Sequence, residues 1–137
     1  VVASGCNAVQ SHSTSHATSI TQHAVLAALT GPQDCVDEMR EEYRSRRDGL
    51  LSWIERDKRF DVSRPAGAFY VFPNVSRLLS LDGPRTSADL ALALLNEAHV
   101  AVTPGEAFDA PGFLRISYAA SMDQLREAWA RIQRFLA

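Results

Sequence analysis

Three short apolar runs lie among helix-like segments in the second half of the chain, at residues 67–72, 99–103 and 113–118. Each run is rich in β-branched or aromatic residues and is bounded by proline or glycine, which is typical of strands. Strands this short do not form a stable sheet alone and need helices packed against them. The pattern therefore predicts an α+β fold, in which a small mixed sheet is covered by helices.

A long helix is predicted over residues 32–56. Apolar side chains at spacings of three, four and seven define it: Val36, Met39, Tyr43, Leu50 and Ile54. A stripe of this kind is the face that a helix turns towards a core. The charged residues between these positions are interpreted as a solvated face.

Two further helices are predicted from their capping residues. Thr86 or Ser87 precedes an alanine- and leucine-rich helix over 88–98. Ser121 and Gln124 have the spacing of a capping box, in which two side chains bond reciprocally to the first backbone amides of a helix. The helix that they open is predicted over 121–136, with one apolar face.

The first thirty residues give a different pattern. Serine, threonine and histidine dominate residues 10–23, and such side chains compete for backbone hydrogen bonds, so this part is predicted to be irregular. Ser19 and Gln22 have capping-box spacing and predict a helix that continues through 24–29. The opening Val1 has neither a start signal nor a cap, which is interpreted as a chain entered in mid-element.

Composition and charge argue against several kinds of partner. The net charge of -2 gives no electrostatic case for nucleic acid or an anionic membrane. No apolar run approaches the ~18–20 residues that span a bilayer, and no signal peptide is evident. Cys6 and Cys35 lack zinc or disulfide spacing, so a cytoplasmic protein is predicted. No carboxylate or cysteine completes a ligand set around His12, His16 and His23, so no metal site is predicted.

Arg115 stands at the centre of the third predicted strand, where a guanidinium is costly to bury unless it is paired. One interpretation is an internal salt bridge, for example to Asp109 or Glu106. The other is a planar fork that binds a carboxylate ligand through two parallel hydrogen bonds. Phe69 and Tyr70 are either core residues or, for one of them, the wall of a ligand pocket, because neighbouring strand residues point to opposite faces.

Five segments resemble, in order and in spacing, the bacterial class I aminotransferases of fold type I, of the aspartate aminotransferase kind. They are QSHSTS with SITQ between 10 and 22, RRD at 46–48, PAGAFYVFP at 65–73, VAVTPGEAF at 100–108 and GFLRISYA at 112–119. The resemblance extends over nearly the whole chain. His99 and Asp109 depart from it, since the family more often has glycine at these positions.

The resemblance implies a pyridoxal-phosphate-dependent enzyme that moves an amino group between an L-amino acid of the aspartate-like class and a 2-oxo acid. It implies that Arg115 holds the substrate α-carboxylate and that Phe69 or Tyr70 lies at the substrate pocket. Ser13 and Thr14 fall in a segment that lies near the dimer interface in the family. A homodimer is implied, in which these two residues approach the neighbouring subunit's active site and its cofactor.

The resemblance is to the C-terminal portion of such an enzyme. It implies that residues 1–31 are the end of the large cofactor domain with the connecting helix, and that residues 32–137 are the C-terminal small domain. The lysine that attaches the cofactor lies upstream in the family. Lys58, the only lysine here, sits beside Asp57 and Arg59 at a hydrophilic helix end and is predicted not to replace it. This chain alone is therefore predicted to be inactive, with no covalently bound cofactor.

Two other functions remain open from the sequence. One is an aminotransferase-like sensor domain of a transcription regulator, and the other is a carbon–sulfur lyase on the same fold. A fold resemblance does not by itself decide the chemistry. The sequence also leaves open which amino acid is preferred.

Overall fold

The computed structural model describes residues 1–14 and 17–137. Within them, five α-helices are α1 (Val2–Ser13), α2 (Ser19–Thr30), α3 (Asp34–Ile54), α4 (Ser87–Glu97) and α5 (Met122–Phe135). The strands are β1 (Tyr70–Val71), β2 (Thr103–Pro104) and β3 (Leu114–Ser117), and short 3-10 helices occupy Ser76–Leu78 and Gly105–Phe108. The chain divides into two compact units, residues 1–37 and 38–137.

Helices α1 and α2 of the first unit contain no buried residue. The predicted irregular backbone over 10–23 is wrong for the helical part, because α1 continues through Ser13 and α2 begins at Ser19. The Ser11 hydroxyl donates to the carbonyl oxygen of Ala8 at 2.9 Å. This side chain therefore bonds back within the helix rather than competing with it.

The N-terminal cap of α2 lies one residue earlier than predicted. Thr18 has extended backbone, and its hydroxyl oxygen accepts from the backbone N–H of Thr21 at 3.3 Å. Ser19 already belongs to the helix, and the side-chain Nε2 of Gln22 donates to the backbone carbonyl of Ala17 at 2.7 Å. The capping box predicted from Ser19 and Gln22 is therefore wrong, although the helix that it announced is present.

His16 lies outside the described residues, so the His12–His16 pair has no structural account. Among residues 1–14 and 17–137, no group of three or more His, Cys, Asp or Glu side chains could hold a metal ion. None of the helices in the described residues is long and apolar enough to cross a membrane.

The three strands of the second unit form one sheet in the order β1-β3-β2, with β3 in the centre. Both pairs are antiparallel: Val71 is opposite Ile116, and Thr103 is opposite Arg115. The predicted α+β fold with one small sheet is confirmed. The expected mixture of parallel and antiparallel pairs is corrected, because both neighbours of β3 run antiparallel to it.

The first two strands are shorter than predicted for reasons visible in the backbone. Ala68 has a φ of 64°, in the left-handed region, which interrupts an extended run from 67 to 72. The backbone N–H of Val100 donates to the carbonyl of Leu94 at 3.0 Å, so the last turn of α4 uses it and the sheet cannot. His99, with a φ of 54°, makes the turn between α4 and the segment leading to β2.

Two helix caps follow their sequence signals. Ser121 and Gln124 form the predicted capping box at α5. Thr86 caps α4 in a box with Asp89. Ser87, the alternative cap, is instead fully buried, where its hydroxyl donates to Glu106 at 2.7 Å and accepts from the backbone N–H of Gly112 at 2.9 Å.

The core of the second unit is built from side chains of all three of its long helices and of the sheet. Its buried members include Leu50, Leu51 and Ile54 of α3, Leu90 and Leu94 of α4, Leu125 and Ile132 of α5, and Val71, Leu114 and Ile116 of the strands.

The apolar stripe predicted for α3 is correct at its second half. Its first half is not buried, since Val36 and Met39 are about half exposed.

Candidate functional site

Arg115 lies on the face of β3 opposite the core. Burial alternates along the strand: Leu114 and Ile116 are buried, Arg115 is half-buried and Ser117 is exposed. This is the alternation expected of a strand with one face on a core. The sheet therefore holds the guanidinium at its open face, on the most central of its three strands.

Three side chains contact the Arg115 guanidinium. Its Nη2 donates to the hydroxyl oxygen of Thr103 at 3.4 Å. Its central carbon lies 4.7 Å from the ring centroid of Phe108 and 5.4 Å from that of Tyr70, both within cation–π range. Together with Phe72, Tyr70 and Phe108 line a cavity of about 230 Å³ at Arg115. The site is thus a cation with aromatic walls.

The carboxylates closest in sequence do not pair with Arg115. Glu106 accepts from the Ser87 hydroxyl, and this hydrogen bond lowers the pKa of the Glu106 carboxyl. Asp109 ends the 3-10 helix in the left-handed conformation. Among the described residues, no Asp or Glu oxygen lies within 4.0 Å of a guanidinium nitrogen of Arg115. The salt-bridge interpretation is therefore not realised in this fold, and the guanidinium retains N–H groups for a ligand.

The turn after β2 brings Phe108 to the site. The backbone N–H of Gly105 donates to the carbonyl of Phe113 at 2.8 Å, and its carbonyl accepts from Ala110 at 3.0 Å. A Cβ at Gly105 would collide with the Ala110 carbonyl oxygen and lie 2.9 Å from that of Phe113. Phe72 stacks on Phe113 at 5.1 Å and meets Phe108 edge-on at 6.0 Å. This turn can close only around glycine, and it fixes the aromatic wall.

The loop before β1 is held by two further contacts. The Tyr118 hydroxyl donates to the carbonyl of Ala68 at 2.8 Å. Arg47 donates through Nη1 to the Pro65 carbonyl at 3.1 Å and through Nε to Asp48 at 2.8 Å. The Arg47 guanidinium lowers the pKa of the Asp48 carboxyl. Arg47 of the RRD segment thus connects α3 to the loop that precedes β1.

Phe69 and Tyr70 line different cavities, although their rings meet edge-on with centroids 5.9 Å apart. Tyr70 is 37% exposed and lines the Arg115 cavity. Phe69 is 52% exposed and lines a different cavity of about 390 Å³, which also includes Tyr43 and Tyr118. The structure therefore brings Tyr70, and not Phe69, to the wall around Arg115.

The remaining residues singled out from the sequence lie elsewhere. Ser13 is the last residue of α1, and the hydroxyl of Thr14 donates to the carbonyl of Gln10 at 3.0 Å. Both are exposed and belong to the first unit. Lys58 is exposed in the loop after α3, where its carbonyl accepts from Arg77 at 2.6 Å. Lys58 is absent from the side chains that line the Arg115 cavity.

Thr103, Phe72 and Phe108 belong to the site but were not predicted from the sequence. Thr103 becomes visible only from the strand register, which places it opposite Arg115. Phe72 and Phe108 carry no signal in the sequence, because only the 3-10 turn at Gly105–Phe108 brings their rings together. A hairpin-like pairing of 100–104 with 113–117 would have been the one available signal for Thr103.

These features define a small α+β domain with a half-buried arginine on the open face of its sheet, between aromatic neighbours. The family model described as "Aminotransferase class I and II" matches residues 1–132. The chain belongs to the class I and II aminotransferases. The resemblance drawn from the sequence is confirmed.

Relatives within this family are similar over nearly the whole chain. The aspartate aminotransferase of Geobacillus stearothermophilus is 44% identical over 126 residues, covering 92% of this chain and 32% of the relative. The aspartate/prephenate aminotransferase of Cereibacter sphaeroides is 44% identical over 134 residues, covering 94% of this chain and 34% of the relative. The crystal structure of the aspartate aminotransferase from Rhizobium meliloti superposes with a TM-score of 0.85 at 41% identity, covering 94% of this chain and 34% of that one. The chain spans about a third of the length of the curated relatives it matches.

Proposed function

We propose that this chain supplies substrate α-carboxylate binding to a pyridoxal-phosphate-dependent aminotransferase, with Arg115 as the anchor. The reaction would move an amino group between an L-amino acid of the aspartate-like class and a 2-oxo acid. The names of the relatives, aspartate and aspartate/prephenate aminotransferases, support this reaction.

The proposal depends on one observation, which is that Arg115 lies at a cavity without a carboxylate partner among the described residues. Its guanidinium is half-buried at a cavity and has aromatic neighbours, yet no carboxylate of the described residues pairs with it. A planar guanidinium binds a carboxylate through two parallel hydrogen bonds, which fixes the orientation of the ligand as well as its charge. Tyr70 and Phe108 would keep water from the bound carboxylate and so strengthen these bonds.

The residues of this chain do not fit a covalent cofactor site. Pyridoxal 5'-phosphate, when bound, supplies the electron sink of an aminotransferase. Its covalent attachment needs a lysine, and Lys58 is exposed in a loop that does not line the Arg115 cavity. We therefore assign to this chain the binding and orientation of the substrate, and no step of the cofactor chemistry.

The domain assignment extends the same proposal. Residues 1–31 would belong to the large cofactor domain and its connecting helix, and residues 32–137 would form the small domain. The exposed apolar side chains of α2, among them Leu26 and Leu29, support a partner surface in the complete protein. Ser13 and Thr14, exposed at the end of α1, would approach the neighbouring subunit's cofactor in a homodimer.

The exposed, free thiols of Cys6 and Cys35 support a reducing, cytoplasmic setting.

The alternative functions have less support. A sensor domain of a transcription regulator and a carbon–sulfur lyase both remain compatible with the fold. The relatives described above are all named as aminotransferases, which favours transfer over either alternative.

The proposal is tested with Arg115→Lys in the full-length polypeptide. Lysine keeps the charge but loses the planar fork, so kcat/KM for L-aspartate with 2-oxoglutarate should fall at least about tenfold. Arg126→Lys is the matched control, because Arg126 lies on the exposed side of α5 in a salt bridge to Asp123. An unchanged kcat/KM for Arg115→Lys rejects the anchor role. With L-cysteine in place of L-aspartate, sulfide release without amino transfer would indicate the lyase.

A further inference from the structure

We infer that Thr103 is a positioning residue, whose hydroxyl fixes the orientation of the Arg115 guanidinium before a carboxylate binds. This inference rests on the proposed function of Arg115. It concerns a side chain on β2 that contributes neither charge nor an apolar wall to the site.

The strand register places Thr103 where it can act on Arg115. The two residues are direct partners in the antiparallel β2–β3 pair, so their side chains emerge on the same face of the sheet. This is the open face, opposite the buried Leu114 and Ile116. The adjoining Pro104 and the tight Gly105 turn hold β2 in this register.

The hydrogen bond restrains a rotation of the Arg115 guanidinium that the aromatic contacts alone leave open. An arginine side chain has several rotatable bonds, and binding a ligand normally requires their ordering. Tyr70 and Phe108 contact the guanidinium through their rings, and such contacts tolerate rotation within the plane of the group. The bond from Nη2 to the Thr103 oxygen is directional and sets that rotation.

The bond leaves the carboxylate-binding capacity of Arg115 intact. Nη2 carries two N–H groups, so one can bond to Thr103 while the other remains for a ligand, next to those of Nη1 and Nε. The Thr103 oxygen has no other hydrogen-bond partner among the described residues. Its own O–H is therefore available to donate to a bound carboxylate oxygen.

The test compares Thr103→Val with Thr103→Ser in the full-length polypeptide. Valine keeps the β-branched shape that suits a strand but removes the acceptor, whereas serine keeps the hydroxyl. We expect Thr103→Val to raise KM for both L-aspartate and 2-oxoglutarate by about twofold to tenfold with a smaller change in kcat, and Thr103→Ser to stay near the parent values. In an Arg115→Lys background, Thr103→Val should have no further effect on KM, because the two residues act as a pair.

The outcomes separate this inference from the proposed function. If Arg115→Lys raises KM and Thr103→Val does not, the positioning role is wrong and the anchor stands. If Arg115→Lys leaves KM and kcat unchanged, the proposed function itself is wrong. A Thr103→Val variant that lowers only the melting temperature assigns Thr103 a structural role and overturns the inference. Should Thr103→Val fail to fold, Thr103→Cys replaces it, since a thiol is a weak acceptor of similar size.

Discussion

Thr103 and Arg115 are directly opposite each other across β2 and β3, and a hydrogen bond of 3.4 Å joins their side chains. They are twelve residues apart in the chain, and the tight turn that begins at Gly105 lies between them. The geometry around Arg115 therefore depends on the turn as much as on the strands.

Gly105→Ala should destabilise the second unit strongly. An added Cβ meets two backbone carbonyl oxygens, those of Ala110 and Phe113, which cannot move without breaking the turn. Overpacking of this kind costs about 1–3 kcal/mol or more, which urea unfolding followed by circular dichroism can measure. Gly67→Ala is the control, since nothing lies within 4 Å of a Cβ there. Equal stability of the two variants would contradict the packing described for Gly105.

His99→Gly and Asp109→Gly should each stabilise the protein. Their φ angles of 54° and 53° lie in the left-handed region, which costs a non-glycine residue about 1 kcal/mol or more. For a unit of this size, a gain of 1 kcal/mol corresponds to a rise in Tm of roughly 4–8 °C in a calorimetric scan. Ala88→Gly, on the exposed side of α4, should have the opposite sign. A fall in Tm for both turn variants would show that these side chains contribute more than their strain costs.

The cap of α5 and the backbone of Ala68 show where sequence reasoning succeeds and where it stops. The capping box of Ser121 and Gln124 involves neighbours three residues apart, so the local sequence contains all of its information. The left-handed backbone of Ala68 is different, because no local sequence signal marks it and its carbonyl accepts a hydrogen bond from the Tyr118 hydroxyl. That partner is fifty residues away, and only the folded sheet brings it close.

The same distinction applies to the candidate site. Arg115 was recognisable from the sequence because a charged residue interrupts an apolar strand, which is a local anomaly. Thr103 and Phe108 show no local anomaly, and they join the site through strand register and a 3-10 turn. The buried half of the α3 stripe could be predicted from periodicity. The exposure of Val36 and Met39 could not be predicted in this way, because periodicity identifies an apolar helix face but not the elements that pack against it.

Acid should weaken the contact between the loop after α3 and helix α5. Arg59 donates to the Asp57 carboxylate and to the carbonyl of Leu136, and Gln133 also donates to Asp57. The hydrogen bond from Arg59 is the main reason that the pKa of Asp57 falls from 3.8 to about 2. Because the folded pKa is the lower one, this stabilisation is complete above pH 3.8 and is lost as the pH falls towards 2.

Asp57→Asn tests this dependence. The variant should lose about 1–2 kcal/mol at neutral pH, less than the full shift implies because Arg59 remains partly exposed, and the loss should vanish near pH 2. Urea unfolding at a series of pH values gives the difference directly. Asp123→Asn, at the exposed start of α5, is the control and should show little difference at any pH. A loss that stays constant from neutral pH to pH 2 would rule out titration of Asp57 as its cause.

The 137-residue chain should not attach pyridoxal phosphate covalently. Attachment requires a lysine amine that is held beside the cofactor, whereas Lys58 is exposed in the loop after α3 and does not line the Arg115 cavity. After incubation with the cofactor and reduction with borohydride, mass spectrometry should find only trace labelling. Lys58→Arg provides the background value. A stoichiometric label on Lys58 would show that this chain contains a cofactor site after all.

The absence of buried residues in α1 and α2 has a consequence for the time scale on which their backbone opens. Helices of 12 residues without a packed face are marginal in water, so their amides gain little protection beyond the helix–coil equilibrium. In the chain by itself, deuterium should therefore enter α1 and α2 within the first moments of exposure, while Leu51 and Leu114, both almost fully buried, retain their amide protons for far longer. A protease at low concentration would follow the same gradient, cutting the first unit early and releasing a resistant product close to residues 38–137.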